Sequence, residues 1–190
     1  MNKNKTPEFS GAFASLCSIL TDKNIRFTTH AEEKRISLSI VGKVASYNCN
    51  FLVNDDDSLL CFYLRYPIAV RDEKYRASAC ELITRATYGL PVGNFEFDFR
   101  DGEIRFHVSQ FIGSFPLERD VVDSVVHAAL RAADRYFPSL AQHLYSGVTP
   151  EDAVYTAELD YHSSQVQEPS PAVKKPAPHA DTPQPDTRTE

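Results

Sequence analysis

Asp101-Gly102 stands between two stretches that mirror each other: Phe95, Phe97 and Phe99 alternate with Glu96, Asp98 and Arg100 before it, and Ile104, Phe106 and Val108 alternate with Glu103, Arg105 and His107 after it. Alternation at period two puts each set on one face of a strand, and Asp-Gly suits a tight hairpin turn because that turn needs positive φ. A two-residue loop predicts the pairs Arg100–Glu103, Phe99–Ile104, Asp98–Arg105, Phe97–Phe106, Glu96–His107 and Phe95–Val108. One face of that hairpin is wholly apolar. The other sets acid against base, and cross-strand pairs of either kind stabilise by about 0.2–1 kcal/mol each. A one-residue slip would turn every apolar side chain to water, so the chain is committed to an antiparallel sheet with a buried face.

The same period runs from about Arg26 to Val70. Ile36, Leu38 and Ile40 alternate with serines, and Ala45, Tyr47, Cys49, Phe51 and Val53 alternate with mostly polar neighbours. Asn54 to Asp57 turns the chain, and Leu59 to Tyr66 returns. That return is apolar on both faces, which predicts a central strand. Pro67 is expected to end it at the rim. The aspartates lack the spacing of a calcium loop and read as a solvated turn.

Elsewhere the period is helical. Phe9, Phe13, Leu16, Cys17 and Leu20 share a face, with Thr6-Pro7 as the start and Asn24 as a left-handed stop. Tyr75, Ala79, Leu82, Ile83 and Ala86 share another between Asp72 and Tyr88, closed by Gly89. Val121, Val122, Val125, Val126, Ala129, Leu130, Ala133 and Phe137 form a broad stripe that Pro138 is expected to break. A short helix then reaches Gly147, and Thr149-Pro150-Glu151-Asp152 starts a last one ending near Tyr161. Residues 163–190 carry six prolines and no aromatic residue, so they read as a disordered tail behind a domain of residues 1–162. The expected fold class is α+β: an antiparallel sheet with helices on one side and short C-terminal helices.

A net charge of −6 with no cluster of Lys and Arg argues against a nucleic-acid surface. No apolar run is long enough for a membrane span, and no signal peptide is legible at the N-terminus. Four cysteines without a C-x-x-C spacing read as reduced, small hydrophobes, which implies a cytoplasmic protein. Nothing suggests a cofactor or metal: glycines are few, no phosphate-cradling loop occurs, and the six histidines have no ligand spacing. The one candidate for chemistry is Glu96, Asp98 and His107 on the hairpin's polar face, where a carboxylate beside an imidazole could act as a base. Solvent-facing cross-strand pairs explain the same residues and are preferred.

The block from Ala86 to Phe106, with Thr87-Tyr88-Gly89-Leu90-Pro91 and Asp98-Phe99-Arg100-Asp101-Gly102, resembles the YbjN-type domain, a bacterial sensory transduction regulator family. Asp134-Arg135-Tyr136-Phe137-Pro138 and Gly147 to Ala153 are similar to its later blocks. The resemblance implies a fold like the type III secretion chaperones, in the order α-β-β-β-α-β-β-α, and those are dimers that bind extended segments of other proteins. It implies no activity and no catalytic residues. The expected function is therefore a non-catalytic, chaperone-like or regulatory protein-binding module, homodimeric, meeting an unidentified protein partner through sheet residues such as Tyr47, Tyr63 and Tyr66. A sensory domain holding a small apolar ligand between sheet and helices is the alternative. A hydrolase-type enzyme using the hairpin carboxylates comes third.

Overall fold

The computed structural model describes residues 11–113 and 116–167. Its elements are α1 (Gly11–Asp22), β1 (Phe27–His30), β2 (Arg35–Val41), β3 (Ser46–Val53), β4 (Leu59–Ala69), α2 (Arg76–Thr87), β5 (Asn94–Phe97), β6 (Glu103–Phe111), α3 (Arg119–Ser146) and α4 (Pro150–Gln167). The six strands form one antiparallel sheet in the order β1-β2-β3-β4-β6-β5. The α+β class is as expected, with one strand more than anticipated. Phe27–His30 forms a separate edge strand, because a 3-10 turn and the left-handed Lys34 reverse the chain before Arg35.

Strand alternation decides what lies inside. Ile36, Leu38, Tyr47, Cys49, Phe51, Val53, Leu60, Phe62, Leu64, Tyr66, Phe95, Ile104, Phe106 and Val108 all face one side and are buried in a single core. The helices cover that side with Leu16 and Leu20 of α1, Leu82 and Ile83 of α2, and Val122, Val125, Ala129, Ala133, Tyr136 and Leu140 of α3. Burial pushes the Cys49 thiol up to about 12. The four cysteines are free thiols, but only Cys49 is fully buried.

Three expectations need correction. The hairpin register is shifted by two residues: Phe95 pairs with Phe106, Glu96 with Arg105 and Phe97 with Ile104. Its loop has four residues, Phe99 to Gly102. The Asp98 amide donates to the Glu103 carbonyl at 2.9 Å, and the Gly102 amide to the Asp98 carbonyl at 2.8 Å. Gly102 takes the left-handed φ of 77° that closes such a loop, and a Cβ there would collide with the Val70 carbonyl. Phe99 is consequently not core: it is 55% exposed at the loop.

Pro67 does not end β4. The strand runs on to Ala69, and its register against β6 shifts between Arg65 and Ala69. The proline falls where the ladder is already irregular and no N–H is missed. Nor does Pro138 break α3, which continues to Ser146. The lost backbone bond is outweighed by packing on either side. Tyr136 and Leu140 are buried, and the Tyr66 hydroxyl donates to the Ala133 carbonyl at 3.1 Å. Asn24 and Gly89 do adopt the left-handed conformation expected of helix stops.

His143 is a satisfied core histidine. Its Nδ1 donates to the Val148 carbonyl and its Nε2 meets the Ser78 hydroxyl, both at 2.8 Å, tying α3 to α2. The Thr149 hydroxyl accepts from the Asp152 amide at 3.2 Å and caps α4, which runs past the expected domain limit of 162. Thr6-Pro7, Phe9 and residues 168–190 lie outside the described residues.

Candidate functional site

Among the described residues no helix covers the second face of the sheet. Its residues follow from the same alternation, read in the other phase: Ser37 and Ser39 on β2, Asn48, Asn50 and Leu52 on β3, Cys61, Tyr63 and Arg65 on β4, Arg105, His107 and Ser109 on β6, and Glu96 on β5. The face is polar and rich in hydrogen-bond donors, and of the expected Tyr47, Tyr63 and Tyr66 it carries only Tyr63.

Arginines organise it. Arg105 Nε donates to Glu96 at 2.6 Å, and its guanidinium lies 4.5 Å from the centre of the Tyr63 ring. Arg65, directly opposite Arg105 on the neighbouring strand, is paired with Glu103 at 3.1 Å, which relieves the repulsion between the two. Arg35 donates to Glu33 at 2.8 Å and to the Ser37 hydroxyl at 2.9 Å, and Ser37 donates to Asn50 at 2.7 Å. Burial pushes the Glu96 carboxyl up, but the hydrogen bonds and charge of Arg105 and then His107 outweigh it and hold it below the usual range. Two shallow clefts, of about 720 and 300 Å³, share Arg35, Asn50 and Arg65 and together form a trough across β1 to β6.

Tyr63 stacks on His107 at 4.4 Å, with ring planes 16° apart. His107 Nδ1 meets Glu96 at 2.9 Å, and Nε2 meets the Ser109 hydroxyl at 2.7 Å. A carboxylate can only accept, so Nδ1 carries a proton, and in the neutral ring Nε2 accepts from Ser109. That is the acid–base–nucleophile order of serine hydrolases. The rest of such a site is missing: Ser109 is exposed on a flat strand, and neither His107 nor Ser109 lines the clefts on this face. The chain Glu96–His107–Ser109 ties β5 to β6 across the polar face.

The expected site residues are therefore divided. Tyr63 lies on the open face. Tyr47 and Tyr66 are buried beneath α3, each edge-on to Phe137, and the Tyr47 hydroxyl donates to Asp134 at 2.8 Å. Glu96 and His107 are joined, whereas Asp98 turns back to Arg100 at 2.6 Å, a contact that lowers its carboxyl to about 2. Arg35, Arg65, Arg105 and Ser109 were not singled out, because polar residues in the outward phase read as ordinary solvated positions. Among the described residues no group of three or more His, Cys, Asp or Glu is placed to hold a metal ion. None of their helices is long and apolar enough to cross a membrane.

The space expected to hold an apolar ligand, between sheet and helices, is filled by Tyr47, Phe51, Phe62 and Phe106.

A family model described as YbjN, "Putative bacterial sensory transduction regulator", matches residues 13–142. Among solved structures, one titled "Crystal Structure of the ExsC-ExsE Complex" is similar over 65% of this chain and 89% of that chain, at 13% identity and a TM-score of 0.44. No curated protein matches the sequence.

Proposed function

Since the chain belongs to the YbjN family, we propose that it is a non-catalytic protein-binding module of regulatory or chaperone-like kind, working in the cytoplasm as a homodimer. The observation that carries this reading is the sheet face left open by the described helices, on which Arg35 is held by Glu33, Arg65 by Glu103, Asn48 by Ser39, Asn50 by Ser37, and Arg105 by Glu96 over the Tyr63 ring. Such a surface offers fixed donors for the carbonyls and carboxylates of an extended segment, and Tyr63 with Arg105 supplies a flat amphipathic anchor. Free thiols fit a reducing compartment.

Light scattering at micromolar concentration is expected to show a particle of two 21.3 kDa chains; a clean monomer removes the dimer. A tagged chain is expected to retain a stoichiometric protein from native lysate and to lose it on Tyr63→Glu or Arg65→Glu, but not on Tyr155→Glu on the exposed side of α4. Retention by all three variants would move the binding surface elsewhere. A turnover abolished by replacing Glu96, Asp98 and His107 together would overturn the non-catalytic reading.

A further inference from the structure

The turn between β2 and β3 is tied to α3 by one carboxylate. Asp134 of α3 accepts from the Lys43 amide at 2.8 Å, the Val44 amide at 3.4 Å and the Tyr47 hydroxyl at 2.8 Å. Gly42 permits this approach, because a Cβ there would stand 2.5 Å from the Asp134 carboxylate and 2.7 Å from the Tyr47 ring. The braced turn, the flank of α3 and one side of α4 enclose a cleft of about 680 Å³, separate from the open sheet face. That volume suits a small organic molecule.

The lining is divided by chemistry. Val41, Val44, Leu130, Pro138 and Ala157 supply apolar wall. Val41 is 81% and Val44 48% exposed, at a tight turn where polar residues are the rule. Lys43, Arg131 and Arg135 bring three cations, none of which forms an ion pair among the described residues. Against them stand Asp134, taken up by its three donors, and Asp160. The Arg135 guanidinium is clamped between rings, 4.9 Å from the centre of Tyr136 and 4.3 Å from that of Tyr161. Its Nε is buried without a hydrogen-bond partner. The guanidinium thus reaches the cleft wall with its hydrogen-bonding capacity not met by the fold.

We propose that this cleft binds a small amphipathic carboxylate, its apolar body against Val41, Val44, Leu130 and Ala157 and its carboxylate on Arg135. The ring clamp fixes the guanidinium in advance, so little rotamer freedom is lost on binding.

The test is titration calorimetry of the full chain with decanoate and, as its cationic counterpart of equal chain length, decyltrimethylammonium. Decanoate is expected to bind one site and to bind at least about tenfold more tightly than the cation. Arg135→Met, which keeps bulk and removes the fork, is expected to weaken decanoate by about tenfold or more. Val44→Asp is expected to do the same, and its partly exposed position leaves folding intact should Arg135→Met misfold. Tyr63→Glu, on the opposite face, is expected to bind decanoate as the parent does, so this result is independent of the protein-binding reading. Equal binding of anion and cation, no decanoate binding, or parental affinity in both cleft variants would each overturn the proposal.

Discussion

Asp134 is one carboxylate that serves two backbone amides and a phenol, and through them it fixes the β2–β3 turn to α3. Removing it strands the Tyr47 hydroxyl, whose ring is fully buried. Asp134→Ala is therefore expected to cost about 1.5–3 kcal/mol in urea unfolding, as for hydrogen bonds to a charged group, with Asn recovering part. Parental stability in the Ala variant would mean that water replaces the brace. At the same scale, Tyr47 and Tyr66 belong to the core and not to the partner surface expected of them, and their phase in the sequence agrees with the core. Tyr47 is in step with Cys49 and Phe51, and Tyr66 with Phe62, whereas Tyr63 is in step with Cys61.

At the scale of elements, the alternating pattern determines which face of a strand is buried but leaves register open by any even number of residues. A shift of two keeps Phe95, Phe97, Ile104 and Phe106 on the same side, so the pattern could not tell the two-residue loop from the four-residue loop observed. Loop geometry decided it, with Asp98 rather than Arg100 closing the turn. The rings of Phe95 and Phe106 meet edge-on at 4.8 Å. A double-mutant cycle in Ala is expected to give a coupling of about 0.5–1.5 kcal/mol for that pair and none above error for Phe97 with Phe106. The opposite ranking would restore the two-residue loop. Pro138 departs from expectation for a different reason: propensity is a local statement, and the buried flank of α3 overrides it. The open face was hidden because uncovered polar positions look alike whether they meet solvent or a partner.

For the molecule as a whole, pH acts from both ends. Glu96 titrates below its ordinary range in the fold, so its contribution is present above about pH 4.5 and is lost as pH falls through the folded value. Burial raises the Tyr47 and Tyr66 hydroxyls, with Asp134 adding to both shifts, so the fold keeps them protonated where the unfolded chain would ionise. Their contribution is present below about pH 10 and is lost as pH rises above it. The expected melting temperature is a plateau falling at both ends. Glu96→Gln should flatten the acid limb, and Tyr66→Phe the alkaline one. Unchanged limbs in both variants would assign the titration to other groups.

One topological fact bears on how the chain reaches this state. Every strand neighbour in the sheet is also a neighbour in sequence except β4 and β6, which are separated by α2 and β5. Closing the four- or five-residue turns of the β1–β4 meander costs about 2 kcal/mol less in chain entropy than closing the connection from Ala69 to Glu103. The meander and the β5–β6 hairpin are therefore expected to form as separate nuclei, with the β4–β6 seam joining them last. Truncating Val108, which faces Phe62 across that seam, should then leave the folding rate nearly unchanged and appear chiefly as faster unfolding in a stopped-flow chevron.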